Sequence, residues 1–239
     1  MLLRVGTSGY SYKEWKGTFY PADLPAAKML PFYAARFSTV EINNTFYRMP
    51  APAAVAGWAA QVPEAFRFVL KAPQRITHQK KLVGTEDDVR YFTETAATLG
   101  ARLGPLLFQL PPYLRCDPAR LRTFLESIPA GFRAAFEFRH ESWNDPAVAE
   151  ILAAGGAALC AADAEDRPLD HIDATASWGY LRLRRTDYGD RELAAWAERI
   201  AAAPWDEAWV FFKHEEEGKG PEYAARFIEL GRARGLRFG

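Results

Sequence analysis

Glu41 and Asn43, in the run Ser38-Thr-Val-Glu-Ile-Asn-Asn-Thr-Phe-Tyr-Arg48, are the first residues whose types and spacing could do chemistry. Val40 and Ile42 alternate with them. In a strand successive side chains point to opposite faces, so Glu41 and Asn43 share one face and the two apolar residues the other. The run Arg133-Ala-Ala-Phe-Glu-Phe-Arg139 repeats the device, with Glu137 and Arg139 two apart and in phase. Two carboxylates on one inner surface could serve as an acid and a base on either side of a substrate. Lys71, Arg139 and Arg182 would add positive charge suited to a carboxylate or phosphate on a small substrate. The plainer alternative is a salt-bridge network joining Glu137 to Lys71 or Arg139.

These groups need a frame that gathers strand ends. Apolar strand-like runs begin near Leu2, Val40, Phe66, Leu106, Arg133, Ala157, Gly179 and Ala208. Helical spacing separates most of them: Met29, Leu30, Tyr33 and Phe37; Val55, Trp58 and Val62; Asp87 to Leu99; Leu121, Phe124 and Leu125; Val148, Ile151 and Leu152; Leu193, Trp196 and Ile200; Tyr223 to Leu230. Asp117-Pro118 and Asp145-Pro146 each read as a cap followed by a first-turn proline. The polar stretch from Glu165 to Thr175 holds no helical pattern, so an irregular sixth connection is expected. Eight strands alternating with helices over 239 residues predict α/β architecture and one (β/α)8 TIM-type barrel spanning 1–239, with an open doubly wound sheet as the rival.

In such a barrel Glu41, Asn43, Lys71, Gln109, Glu137, Arg139, Asp163, Arg182, Arg184, Lys213 and His214 stand at strand ends and converge on the C-terminal mouth. Thr45 and His78 fall in loops just above it. Tyr10 and Trp15, with Trp143, could line an aromatic wall over a small-molecule site, or pack among themselves as a loop core.

Composition sets the outer bounds. At 49% hydrophobic and 25% charged the chain is globular, and 30 basic against 30 acidic residues give no reason to expect an extended nucleic-acid footprint. No run approaches a membrane span and no leader pattern precedes the first strand, so a cytoplasmic protein with a small-molecule substrate is expected. Cys116 and Cys160 suggest neither a disulfide framework nor a zinc site. No cofactor is predicted, although Glu41, Glu137, Asp163 and a histidine could hold a divalent metal. No exposed apolar helix face argues for a particular oligomeric state. Gly6-Thr-Ser-Gly9 lacks the spacing and lysine of a P-loop, and there is no Gly-x-Ser-x-Gly elbow.

Several motifs together resemble a known family. They are Gly6-Thr-Ser-Gly-Tyr-Ser-Tyr12 with Trp15 and Phe19-Tyr-Pro21, Phe37 to Arg48, Pro63-Glu-Ala-Phe-Arg-Phe68 with Lys71 and Thr77-His78, Leu103 to Pro112, and Phe136-Glu-Phe-Arg139 with Ser142-Trp143. The chain resembles domain-of-unknown-function family 72, the YecE-like proteins. That resemblance implies a TIM-type barrel in one compact domain and supplies no reaction. Two segments depart from the family pattern: Arg184-Arg-Thr186 stands where a His-Gly pair is common, and Phe212-Lys-His-Glu215 where Phe-Asn-Asn is common.

The expectation drawn from the residues is an enzyme, a hydrolase or isomerase, with Glu41 and Glu137 as acid and base and Lys71 and Arg139 as clamps. Asn43, Thr45, Tyr10, Trp15, His78, Gln109, Trp143, Asp163 and Arg182 would contact the substrate. The alternatives are a non-catalytic module that holds a metabolite or nucleobase, and a metal-dependent nuclease or lyase.

Overall fold

Strands that are apolar on both faces, one packed under the helices and one on the barrel interior, close into a cylinder. The computed structural model describes residues 1–213 and 218–239. Its parallel strands are β1 (Leu2–Ser8), β2 (Thr39–Ile42), β3 (Arg67–Lys71), β4 (Leu103–Gln109), β5 (Ala134–Glu137), β6 (Ala158–Asp163), β7 (Trp178–Leu183) and β8 (Glu207–Phe212). Each pairs with the next in sequence, and β1 closes the ring by pairing with both β8 and β2. The fold is a TIM-type barrel. A short β9 (Arg237–Phe238) adds beside Leu2 and Leu3, covering the part of the β1 edge that β2 does not reach.

The helices are α1 (Ala26–Ala34), α2 (Asn44–Tyr47), α3 (Pro52–Ala59), α4 (Glu86–Ala97), α5 (Pro118–Ser127), α6 (Pro146–Ala154), α7 (Asp190–Ala202) and α8 (Lys219–Arg232). Local chemistry starts several of them. Asp117 Oδ1 accepts from the Arg120 N–H at 3.0 Å, and Asp145 Oδ1 from the Ala147 N–H at 2.9 Å, each ahead of a first-turn proline. Glu192 reaches back to the Gly189 N–H at 2.8 Å to open α7, and three acidic residues occupy the first turn of α4. Between β6 and β7 no helix forms, as the polar composition there predicts.

Outward residues such as Val5, Val40, Ile42, Phe68, Leu70, Phe108, Phe136, Leu181 and Val210 join the main core under the helices. Val69, Leu107, Ala135, Cys160, Tyr180, Trp209 and Phe211 form a separate apolar cluster. That second cluster is the inside of the barrel. Two residues further along the strands, the same inward phase delivers Lys71, Gln109, Glu137 and Arg182, which is how the sequence places polar groups at one mouth. Close approach on the wall depends on Gly6, because a Cβ there would lie 2.0 Å from the Thr39 carbonyl oxygen.

No helix among the described residues is long and apolar enough to cross a membrane. His214 and Glu215, the second half of the departure after β8, lie outside the described residues.

Candidate active site at the barrel mouth

Arg182, on β7, is the centre of the mouth. Its Nη1 donates to Glu137 Oε2 at 2.5 Å and its Nη2 to Glu41 Oε1 at 2.9 Å, so one planar fork ties β7 to β5 and β2. All three side chains are at most 2% exposed. Glu41 also accepts from the Tyr180 hydroxyl at 2.6 Å. Glu137 is more heavily served: Gln109 Nε2 donates to Oε1 at 2.7 Å, Arg139 Nε to the same oxygen at 3.1 Å, and Arg184 Nη1 stands 3.5 Å from it. Tyr180 was not legible as a site residue beforehand. Its signal is position alone, two residues before Arg182 on the same inward phase.

This arrangement fixes the charge states. Burial alone would raise both carboxyls, but Arg182, the Tyr180 hydroxyl and neighbouring cations outweigh it and hold Glu41 below the ordinary carboxylate range. Glu137 goes further down, since Arg182, Arg139 and Arg184 all overcome its burial. Both are therefore carboxylates near neutral pH. The substrate expected between them meets an obstacle, because the Arg182 guanidinium occupies that space.

Lys71 behaves differently from the arginines. Its Nζ donates to Gln109 Oε1 at 2.7 Å and lies 4.1 Å from the centre of the Phe46 ring. Among the described residues it forms no ion pair. Burial first, and then the Arg182 charge, bring its pKa down to about 7, despite the opposing pull of Glu41 and Glu137. Gln109 cannot turn its amide, because Nε2 is committed to Glu137; its oxygen thus faces Lys71. His78 packs edge-on with Phe46, with ring centres 4.8 Å apart, and its Nδ1 lies 2.9 Å from Thr77 Oγ1. Burial and the charges of Lys71 and Arg139 lower its pKa, which leaves the ring neutral at pH 7.

Of the other residues expected to contact a ligand, Asn43 stands at the rim, half-buried, with its Nδ2 unpartnered among the described residues. Four take different places from those expected. Thr45 is fully buried and donates to the Lys71 carbonyl at 2.6 Å, so it fastens α2 to the end of β3; the segment after β2, read as loop, is a helical turn. Trp15 is 1% exposed and packs with Tyr12, Phe19 and Tyr20, so the loop aromatics join the main core against α1. Trp143 stacks on Phe138 at 4.4 Å and 7°, and its Nε1 donates to the Leu114 carbonyl, pinning the loops after β4 and β5. Asp163 shares the phase of Ala161, which faces the helices, and it accepts from the Leu169 N–H and the Tyr188 hydroxyl outside the barrel wall. Tyr10 packs against Tyr33, at 6.2 Å between ring centres, and its carbonyl accepts from the Tyr20 hydroxyl.

Glu41 and Glu137 face Arg182, Asp163 points elsewhere, and among the described residues no three of His, Cys, Asp and Glu converge to hold an ion.

A stretch of the chain is 39% identical over 141 residues to the UPF0759 protein YecE of Escherichia coli strain K12, covering 58% of this chain and 49% of that protein. Another is 27% identical over 154 residues to the UPF0759 protein YunF of Bacillus subtilis strain 168, covering 61% and 53%. The matches thus span about half the length of these curated relatives. A crystal structure of a DUF72 family protein from Thermotoga maritima superposes with a TM-score of 0.86 at 27% identity, over 96% of this chain and 99% of that one. Residues 4–237 match the family model described as Protein of unknown function DUF72, and the chain belongs to that family.

Proposed function

We propose that the chain is an enzyme that binds a small anionic molecule at the C-terminal mouth and moves a proton on it, as an isomerase or hydrolase does. The observation that carries this reading is a charge imbalance. Lys71, Arg139, Arg182 and Arg184 gather around only two carboxylates among the described residues, Glu41 and Glu137. Unmatched buried charge is costly, so a cationic mouth favours an anion that completes the pairing. Arg139 and Arg184, 28% and 20% exposed, are the two placed to meet it.

The roles then differ from an acid–base pair of glutamates. Glu41 and Glu137 are both ionised, so neither donates a proton; both orient Arg182, and Glu137, through Gln109, orients the amine of Lys71. Lys71 is the group whose pKa lies near the working pH, as general acid–base catalysis needs. His78 is neutral and contacts the same Phe46 ring.

Thermal unfolding with phosphate, sulfate or citrate, and with glycerol as the uncharged control, tests the first half. An anion at a hundred times its Kd stabilises the fold by about 2.7 kcal/mol. Arg139→Gln and Arg184→Gln should each weaken that gain, and the reading fails if no anion stabilises the wild type. The second half is tested by incubating the protein with a metabolite extract and following losses by mass spectrometry, with Lys71→Met as comparison. A ligand retained but never converted would favour the non-catalytic binding module.

A further inference from the structure

We infer that Lys71 is a nucleophilic amine that forms an imine with a carbonyl group carried by an anionic substrate, a 2-oxo acid or an aldehyde or ketone bearing carboxylate or phosphate. The inference rests on the reading of the mouth as an anion site and adds the bond that forms there. Four observations point the same way. Lys71 Nζ faces the barrel interior at the end of β3, and among the described residues its one hydrogen-bond partner is a neutral amide oxygen, at 2.7 Å. The two carboxylates whose charge acts on the amine, Glu41 and Glu137, are taken by Arg182. Phe46 shields the amine on one side at 4.1 Å. Arg139 and Arg184 stand over Glu137, which joins Gln109 to the rim, and so offer cationic groups to the anionic end of a molecule whose carbonyl reaches Lys71.

The depressed pKa of about 7 accords with that placement. Near pH 7 about half of such an amine is unprotonated, against roughly one part in a few thousand for an ordinary lysine. Desolvation beside other cations is one way a lysine is activated for attack on carbonyls.

The chemistry balances without a further reactant. The Nζ lone pair attacks the carbonyl carbon, the C=O π pair moves to oxygen, and that oxygen takes up a proton while nitrogen loses one, giving a carbinolamine. Loss of the hydroxyl as water, with a second proton from nitrogen, leaves C=N. Gln109 Oε1 accepts an N–H of the amine and so keeps the attacking atom in place.

Reductive trapping on the intact wild-type chain tests this at pH 7. The probes are glyoxylate, a small anionic aldehyde, and propanal, an uncharged one, each with sodium borohydride, followed by intact mass and peptide mapping. The expected result is a gain of the mass of glyoxylate less one oxygen atom, mapped to Lys71 at least tenfold above any other lysine. Labelling should fall at least tenfold with propanal, and excess phosphate should compete with glyoxylate. Labelling confined to surface lysines such as Lys28 and Lys80, or equal labelling of Lys71 by propanal, overturns the inference. If glyoxylate or phosphate raises the unfolding temperature but Lys71 carries no adduct, the anion site stands and the imine falls. If neither stabilisation nor adduct is seen, both fall.

Discussion

Replacing Arg182 with Met removes the fork from between two buried carboxylates and leaves the rest of the mouth in place. The consequences for the two are unequal. Glu137 keeps Gln109 at 2.7 Å, Arg139 at 3.1 Å and Arg184 at 3.5 Å, so it remains a compensated anion. Among the described residues Glu41 keeps the Tyr180 hydroxyl as a donor, at 2.6 Å, and loses its ion pair, leaving Ser8 and the more distant Lys71 as the other groups that favour its charge. Breaking a buried pair from one side typically costs about 3–5 kcal/mol, because the other charge stays buried without a partner. That is a large share of the about 5–15 kcal/mol by which domains are stable.

The sign of the pH dependence separates this cause from a simple packing defect. In the wild type the folded-state pKa of Glu41 is depressed, so its contribution is present above the ordinary carboxylate range and is lost only as pH falls through the lowered value. Without Arg182 the largest influence opposing burial is gone, so the pKa of Glu41 is expected to rise above the unfolded one, held back by the Tyr180 hydroxyl. The variant then takes up a proton on folding as pH falls, and its deficit shrinks by up to about 1.4 kcal/mol per pH unit below the new value. Urea unfolding followed by tryptophan fluorescence and far-ultraviolet circular dichroism at pH 7 and pH 5 measures both. A deficit under about 1 kcal/mol at pH 7, or one equal at the two pH values, would falsify the account of Arg182 as the charge that holds Glu41 ionised.

Three further outcomes are expected. Lys71 has a folded pKa below its unfolded one, so between about pH 7 and the ordinary lysine value the unfolded chain holds the extra proton and stability climbs with pH; Lys71→Met should flatten that slope by up to about 1.4 kcal/mol per unit in urea midpoints taken at pH 6, 8 and 9. Gly6→Ala should cost about 3 kcal/mol or more, since the added Cβ meets the Thr39 carbonyl oxygen at 2.0 Å, whereas Gly57→Ala, on α3 with nothing within 4 Å, should stabilise by about 0.5–1 kcal/mol; equal midpoints for the pair would contradict the close approach of β1 and β2. Asp117→Ala should cost about 1 kcal/mol through loss of the bond to the Arg120 N–H, with Asp117→Asn recovering most of it.

Much of the frame was legible because its signals are local. Period-two and helical spacing located all eight barrel strands, the Asp-Pro pairs located the starts of α5 and α6, and the polar run after β6 marked the connection without a helix. Misses follow from weak local signals. Gly104 and Pro105 hid the first residues of β4, which the strand needs because Leu103 pairs with Phe68 across a register shift. The two residues of β9 are held by pairing with β1 and carry no pattern of their own. In the site, phase placed Lys71, Gln109, Glu137 and Arg182 on the inner surface, but phase cannot say how far around the ring two groups meet. Trp15 and Trp143 show the same limit, since an aromatic side chain in a loop packs inward or lines a mouth with equal ease until its neighbours are known.

The bond between Arg182 and Glu41 spans 141 residues of sequence and that to Glu137 spans 45, and the two together decide what chemistry is left to the mouth. A buried ionic triad of this kind is weak evidence for stability, because apolar residues of similar volume could fill the space at less desolvation cost. Its effect is instead positional. The triad crosses from β7 to β2 and β5, it engages both carboxylates, and its guanidinium charge helps keep the Lys71 amine from holding a proton. Gln109 passes that organisation on, with its amide nitrogen fixed by Glu137 and its oxygen presented to Lys71. Arg182→Met removes a cation that disfavours the Lys71 ammonium and leaves Glu41 and Glu137 free to favour it, so the variant should raise the pH at which Lys71 becomes reactive towards an aldehyde.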